Sequence, residues 1–144
     1  MADVGGIAGQ IARIREKVNA LVEKELRNRG MKGIVPAHGP VLFCLFQKDR
    51  PVPIKAVVEN ARRAKSTVTV MINTLEKHGY IRKLPCDTDS RITYVELTSK
   101  GRRLQKDFEE ISQVLLNKLY GDMGKSDRDH LARQLDVVES NLDG

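Results

Sequence analysis

Between Lys65 and Lys77 the sequence reads Lys-Ser-Thr-Val-Thr-Val-Met-Ile-Asn-Thr-Leu-Glu-Lys. Wound into a helix, this stretch puts Val68, Met71, Ile72 and Leu75 on one face. Ser66, Thr67, Thr69, Val70, Asn73 and Thr74 fall on the other. Serine and threonine hydroxyls bond base edges or phosphates, an asparagine carboxamide pairs bidentately with adenine, and Val70 suits a thymine methyl. A solvated helix face is usually rich in Glu and Lys, whereas this face is almost uncharged from Ser66 to Asn73. Arg62, Arg63, Lys65 and Lys77 bracket it, followed by Arg82, Lys83, Arg91, Lys100, Arg102 and Arg103. Such cations neutralise phosphates and supply affinity without sequence information. The competing reading of the same residues is an ordinary solvated helix.

The whole chain supports a polyanion partner. Its 144 residues carry a formal net charge of +6, but residues 51–106 alone carry +7 and residues 107–144 carry −5. A basic middle next to an acidic end favours nucleic acid. Enzyme chemistry has no foothold. His38, His78 and His130 fall in three different elements, and no His-Cys or His-carboxylate spacing matches a metal site. No phosphate-cradling glycine loop or nucleophile elbow is present. Glu109 and Glu110 are adjacent, so they point to different helix faces. The sequence therefore predicts no enzyme, no metal and no cofactor. Cys44 and Cys86 are too few for a disulfide framework; Cys44 reads as a buried inert thiol and Cys86 as a weak redox candidate. The first ten residues lack a secretory pattern and no apolar run is long enough for a membrane span, so the expectation is a cytoplasmic protein.

The surrounding elements must hold the Ser66–Asn73 face in place. Ile7, Ile11, Ile14, Val18 and Leu21 recur at heptad spacing and predict a helix over 7–28, ended by Gly30 and Gly33. A second helix runs from Pro36 and Pro40 to about Gln47, apolar nearly all round and therefore central. Pro51-Val52-Pro53 breaks the chain, with Pro53 suited to a first helical position. Ile54, Val57, Val58 and Ala61 then give a short helix, a basic turn follows, and the Lys65–His78 helix ends at Gly79. Strands are expected at Tyr80–Leu84 and Ile92–Thr98 around the polar tip 87–91. Thr98 or Ser99 caps a helix running through Tyr120 on the stripe Leu104, Phe108, Ile111, Leu115 and Leu119. Ser126 caps a last helix striped by Leu131, Leu135, Val138 and Leu142.

Helix, helix, turn, helix, strand, tip, strand is a winged helix-turn-helix. Its second helix is shaped for the major groove and its hairpin tip for a minor groove. The fold class is mainly α with a small β-hairpin. Within one structural domain we expect an N-terminal dimerisation helix at 1–34, a winged lobe at 35–100 and C-terminal dimerisation helices at 101–144. A lobe of some 60 residues is marginal alone, and the three further helices carry apolar stripes that two-fold pairing would cover. The residues assigned to that pairing are Ile7, Ile11, Ile14, Val18, Leu21, Leu131, Leu135, Val138 and Leu142. A compact monomer folding these helices on itself is the alternative.

The runs Ser66-Thr67-Val68-Thr69, Leu75-Glu76-Lys77-His78-Gly79-Tyr80-Ile81, Asp89-Ser90-Arg91 and Leu97-Thr98-Ser99-Lys100-Gly101 together resemble the MarR family of transcription regulators, over about Pro36 to Leu104. The resemblance implies a homodimer on a pseudo-palindromic operator of double-stranded DNA, acting as a repressor. It implies that Arg91 reaches a minor groove and that Asp89 pairs with an arginine to orient the wing. It also implies a small, often anionic or phenolic effector held between dimer helices and lobe; in this sequence Arg13, Arg15 or His38 is the candidate polar group, and the alternative for each is an ordinary surface residue. Arg62 and Arg63 depart from the family, which usually has glycine and an apolar residue in this turn, and Ala64 stands where a capping Ser or Asp is usual. A winged-helix module for RNA or protein contact is the alternative function.

Overall fold

The computed structural model describes residues 2–144. It divides into two compact units, the first ending at Ile111 and the second covering Ser112–Gly144.

In the first unit, α1 spans Ile7–Asn28, the bounds the heptad pattern predicts. It ends on Gly30 at φ +66, with the Gly30 N–H bonded to the Arg27 carbonyl and Met31 N–H to that of Leu26. Only glycine adopts this left-handed geometry without strain, so the helix stops where the sequence says it does. Leu26, Met31 and Ile34 enter the core. A short 3-10 turn, Pro36–His38, leads into α2, Gly39–Phe46, whose Val41 and Leu42 are fully buried. Phe43, Phe46 and Phe108 meet in edge-on and tilted pairs, with centroids 5.6 to 6.0 Å apart. This geometry suits aromatic quadrupoles and ties α2 to the helix that bears Phe108.

The Pro51-Val52-Pro53 segment does more than break the chain. Val52–Pro53 forms a short strand, β1, paired antiparallel with β3 (Thr93–Leu97), which pairs in turn with β2 (Ile81–Pro85). The order is β1-β3-β2, so β1 is an edge where proline can sit without removing a ladder bond. Pro53 is accordingly extended, ψ 141, and caps α3 (Ile54–Ala61) instead of starting it. The helix α4 spans Lys65–Lys77.

Residues 98–120, expected as one helix, are two. Thr98 caps α5, Ser99–Arg102, by accepting the Gly101 N–H at 3.1 Å; α6 then runs Gln105–Tyr120. Gly101 lies so close to the Tyr80 carbonyl that any Cβ there would collide with it. That close packing holds α5 in its own direction, and a tight Leu104-to-Gly101 bond joins it to α6.

In the second unit, α7 spans Lys125–Asp143. Its cap is Gly124, whose carbonyl already accepts the Arg128 N–H at 3.0 Å, so the expected cap Ser126 lies inside the first turn. The Arg128 guanidinium stacks over the Tyr120 ring at 4.9 Å and donates to the Met123 carbonyl. No residue of α7 is buried.

Candidate nucleic-acid interface

The inner face of α4 is anchored by Val68, Ile72 and Leu75, all fully buried. Burying three such side chains contributes on the order of 1.5–3 kcal/mol each, which fixes the helix's rotation about its axis. The opposite face is thereby turned out: Ser66, Thr67 and Asn73 are exposed, and Val70 is 64% exposed. Thr69 and Thr74 are half-buried and spend their hydroxyl hydrogens along the helix, on the Lys65 and Val70 carbonyls at 2.9 and 3.0 Å. Their oxygens therefore remain acceptors toward anything that meets this face.

The turn entering α4 carries the family departures. Arg62 takes a left-handed conformation, φ 54 and ψ 40, at the position where glycine would be unstrained. Ala64 occupies the N-cap and supplies no side-chain bond. Arg63 and Lys65 are exposed beside it. At the other end Gly79, φ +80, closes α4 through Gly79 N–H to Glu76 and Tyr80 N–H to Leu75. Lys77 is exposed in the last turn.

The wing follows directly. Its ladder runs from Ile81 opposite Leu97 to Pro85 opposite Thr93, and Cys86 N–H bonds the Ile92 carbonyl to close the tip. The Asp89 carboxylate takes the Arg91 backbone N–H at 3.0 Å and its guanidinium twice, at 3.1 Å each. The Arg91 side chain, then its backbone N–H, holds the Asp89 carboxyl below its usual range. The Arg91 side chain is nonetheless 88% exposed. So the arginine that pairs with Asp89 is Arg91 itself, at the tip. Between wing, α3 and the start of α4 lies an open cleft of about 700 Å³, with Lys55, Lys65 and Arg91 on its wall beside Thr69 and Tyr94. Three cations around one concavity suit a polyanion backbone. The sequence does not single out Lys55 and Tyr94: the α3 pattern draws attention to its apolar face, and Tyr94 reads only as one position of a strand alternation.

Several cations of the sequence bracket are engaged elsewhere. Arg82 pairs across the hairpin with Glu96 at 2.7 Å. Lys100 donates to the His78 carbonyl at 2.7 Å and lies over the Tyr80 ring. Arg102 reaches back to the Phe46 and Lys48 carbonyls at the end of α2. Lys83 is held by Asn73 and Glu76. These residues shape the lobe. Their partners lie far off in sequence, so no local signal distinguishes them from free phosphate ligands.

The residues assigned to dimerisation fall in two groups. On α1, Ile7, Ile11 and Ile14 are exposed, while Val18 and Leu21 are half-buried. On α7, Leu131, Leu135, Val138 and Leu142 are all exposed. Of the expected effector groups, Arg13 and Arg15 are exposed on α1. His38 is not available to a ligand: it is 5% exposed and its Nδ1 accepts the Val35 N–H at 3.1 Å. Burial, and secondarily the charge of His78, pushes the His38 pKa down. Cys44 is buried, and burial pushes its thiol up, which fits an inert core residue. Among the described residues no His, Cys, Asp and Glu group could hold a metal ion, and no helix is long and apolar enough to cross a membrane.

Residues 36–93 match the sequence profile of the MarR family. The chain is 26% identical over 80 residues to the HTH-type transcriptional regulator SarZ of Staphylococcus epidermidis, covering 56% of this chain and 54% of that one. It is 24% identical over 90 residues to the HTH-type transcriptional repressor IacR of Pseudomonas putida, covering 62% and 54%. The aligned part thus spans about half the length of these curated relatives. S. aureus MepR, in a crystal structure of its complex with DNA, superimposes with a TM-score of 0.82 at 17% identity, covering 93% of this chain and 96% of that one. The fold is therefore that of a winged helix-turn-helix protein, and residues 36–93 are similar to the MarR family.

Proposed function

We propose that the chain is a sequence-specific DNA-binding transcription regulator that represses from a pseudo-palindromic operator as a homodimer. The observation that carries this reading is the outer face of α4: small polar groups, Val70 64% exposed, and almost no charge, beside an 88% exposed arginine at the wing tip. Ser66, Thr67, Thr69, Val70 and Asn73 read base edges in the major groove, Arg91 enters the neighbouring minor groove, and Arg62, Arg63, Lys65 and Lys77 meet phosphates. Asp89 orients the wing. Relatives named as transcriptional regulators, one of them a repressor, support the same role.

In this reading residues 35–100 are the reading lobe, and 1–34 and 101–144 are the dimerisation part. The exposed stripes on α1 and on α7 are covered by a second copy of the chain. A dimer of this kind presents two reading helices about 34–36 Å apart. A small anionic or phenolic effector releases the dimer from DNA.

Selection from random duplexes with the purified chain tests the proposal. The expected motif is an inverted repeat with half-site centres about 10 base pairs apart. Arg91→Ala should weaken binding to that motif and lower the salt slope by about one. Selective binding to RNA alone, or a recovered motif without two-fold symmetry, overturns it.

A further inference from the structure

Lys83 stands on β2, in the wing, and its ammonium turns back onto α4. It donates to the Asn73 Oδ1 on the outer face of α4 and lies 3.5 Å from the Glu76 carboxylate. Only 34% of its side chain is exposed, against 88% for Arg91. A lysine has three donors and no acceptor, so it can meet only the oxygen of a carboxamide. The contact therefore also fixes the direction of the Asn73 amide: oxygen toward β2, nitrogen away from it.

We infer that Lys83 is a positioning residue that sets which base Asn73 selects. This rests on the reading of α4 as the groove helix. A free asparagine offers one acceptor and one donor, the pattern that matches adenine N6 and N7. With an ammonium seated on its oxygen, Asn73 presents a donor edge under a positive potential. An approaching exocyclic amino group, on adenine or cytosine, meets a like-signed neighbour. The N7 and O6 acceptors of guanine do not. Lys83 thus moves the preference at the Asn73 position from adenine to guanine. Glu76 keeps Lys83 over Asn73 and away from the phosphates, so Lys83 contributes to specificity and not to the counterion release that phosphate contacts produce.

The test uses the full chain and duplexes carrying its selected motif, with each base pair varied in turn and binding measured at several salt concentrations. Wild type, Asn73→Ala, Lys83→Met and Lys83→Arg are compared; thermal melts confirm that each is folded. The position where Asn73→Ala loses discrimination is the one Asn73 reads. There the wild type should prefer guanine. Lys83→Met should shift the guanine-to-adenine ratio toward adenine by roughly five- to tenfold, the lower part of the range for one base contact. Its salt slope should stay that of the wild type, and Lys83→Arg should restore the guanine preference. If Lys83→Met instead weakens all sequences equally and lowers the slope by about one, Lys83 is a phosphate ligand and the inference fails. If Lys83→Met keeps the wild-type base preference while Asn73→Ala loses it, the inference fails and the groove reading stands. If Asn73→Ala keeps full discrimination at every position, the reading of α4 falls, and the inference with it.

Discussion

Helices α4 and α7 are both amphipathic, and they leave opposite faces uncovered. In α4 the apolar residues Val68, Ile72 and Leu75 are buried completely within their own chain, and the polar face is left over. In α7 the apolar residues Leu131, Leu135 and Val138 remain 38 to 47% exposed and Leu142 83%, and no residue is buried. The difference tells the two kinds of surface apart. A satisfied apolar face leaves a rigid polar platform for a polar partner. An unsatisfied one is an apolar stripe that calls for another apolar surface.

The sharpest way to break this contrast is paired truncation. Ile72→Ala should lower stability by about 2–5 kcal/mol in urea unfolding, as cavities in packed cores do. Leu135→Ala, measured in dilute chain, should change it far less, whereas Leu135→Lys should shift sedimentation from dimer to monomer. Equal losses from Ile72→Ala and Leu135→Ala, or an intact dimer with Leu135→Lys, would erase the distinction between the helices. The next effect is smaller. Neither helix has a side-chain cap, but α4 starts on Ala64 and α7 on Gly124. Ala64→Ser should raise stability by about 1 kcal/mol and Gly124→Ser by only a few tenths, both read as shifts of the melting midpoint.

The smallest effect is a pH dependence belonging to the first unit. Burial lowers the His38 pKa from its ordinary 6.5, and the ring accepts the Val35 N–H, so the folded chain favours neutral imidazole. Protons then bind the unfolded chain first. The contribution is complete above pH 6.5 and declines as the pH falls below it. His38→Gln should flatten that part of the stability profile between about pH 7 and 5. An unchanged profile would mean that other groups set it.

Much of this architecture is legible residue by residue. The α1 bounds follow from the heptad of Ile7 to Leu21 and the glycine stop, and the inner face of α4 from Val68, Ile72 and Leu75, because period and burial are local properties. Three features are not local. The β1 edge is two residues long between prolines, and only its partner Val95 makes it a strand. The break before α6 arises where Gly101 presses on Tyr80, a contact across some twenty residues. The separation of free from engaged cations depends on Glu96, Asn73 and the α2 carbonyls, so composition shows a basic lobe without showing which charges remain available. Asp89 and Arg91 are two residues apart, yet the resemblance implied only that Asp89 pairs with an arginine, and it is the folded tip that makes this Arg91.

The four residues of α5, with their cap Thr98, reach further than their length suggests. Thr98 donates to the Gly79 carbonyl and Lys100 to that of His78, where α4 ends, while Arg102 binds the Phe46 and Lys48 carbonyls, where α2 ends. Two helix termini that would otherwise fray independently are sealed by one small clasp. Their amides should exchange with deuterium as a single cooperative group. The far end of α4 then opens to solvent only when the clasp lifts, and the tail of α2 opens with it.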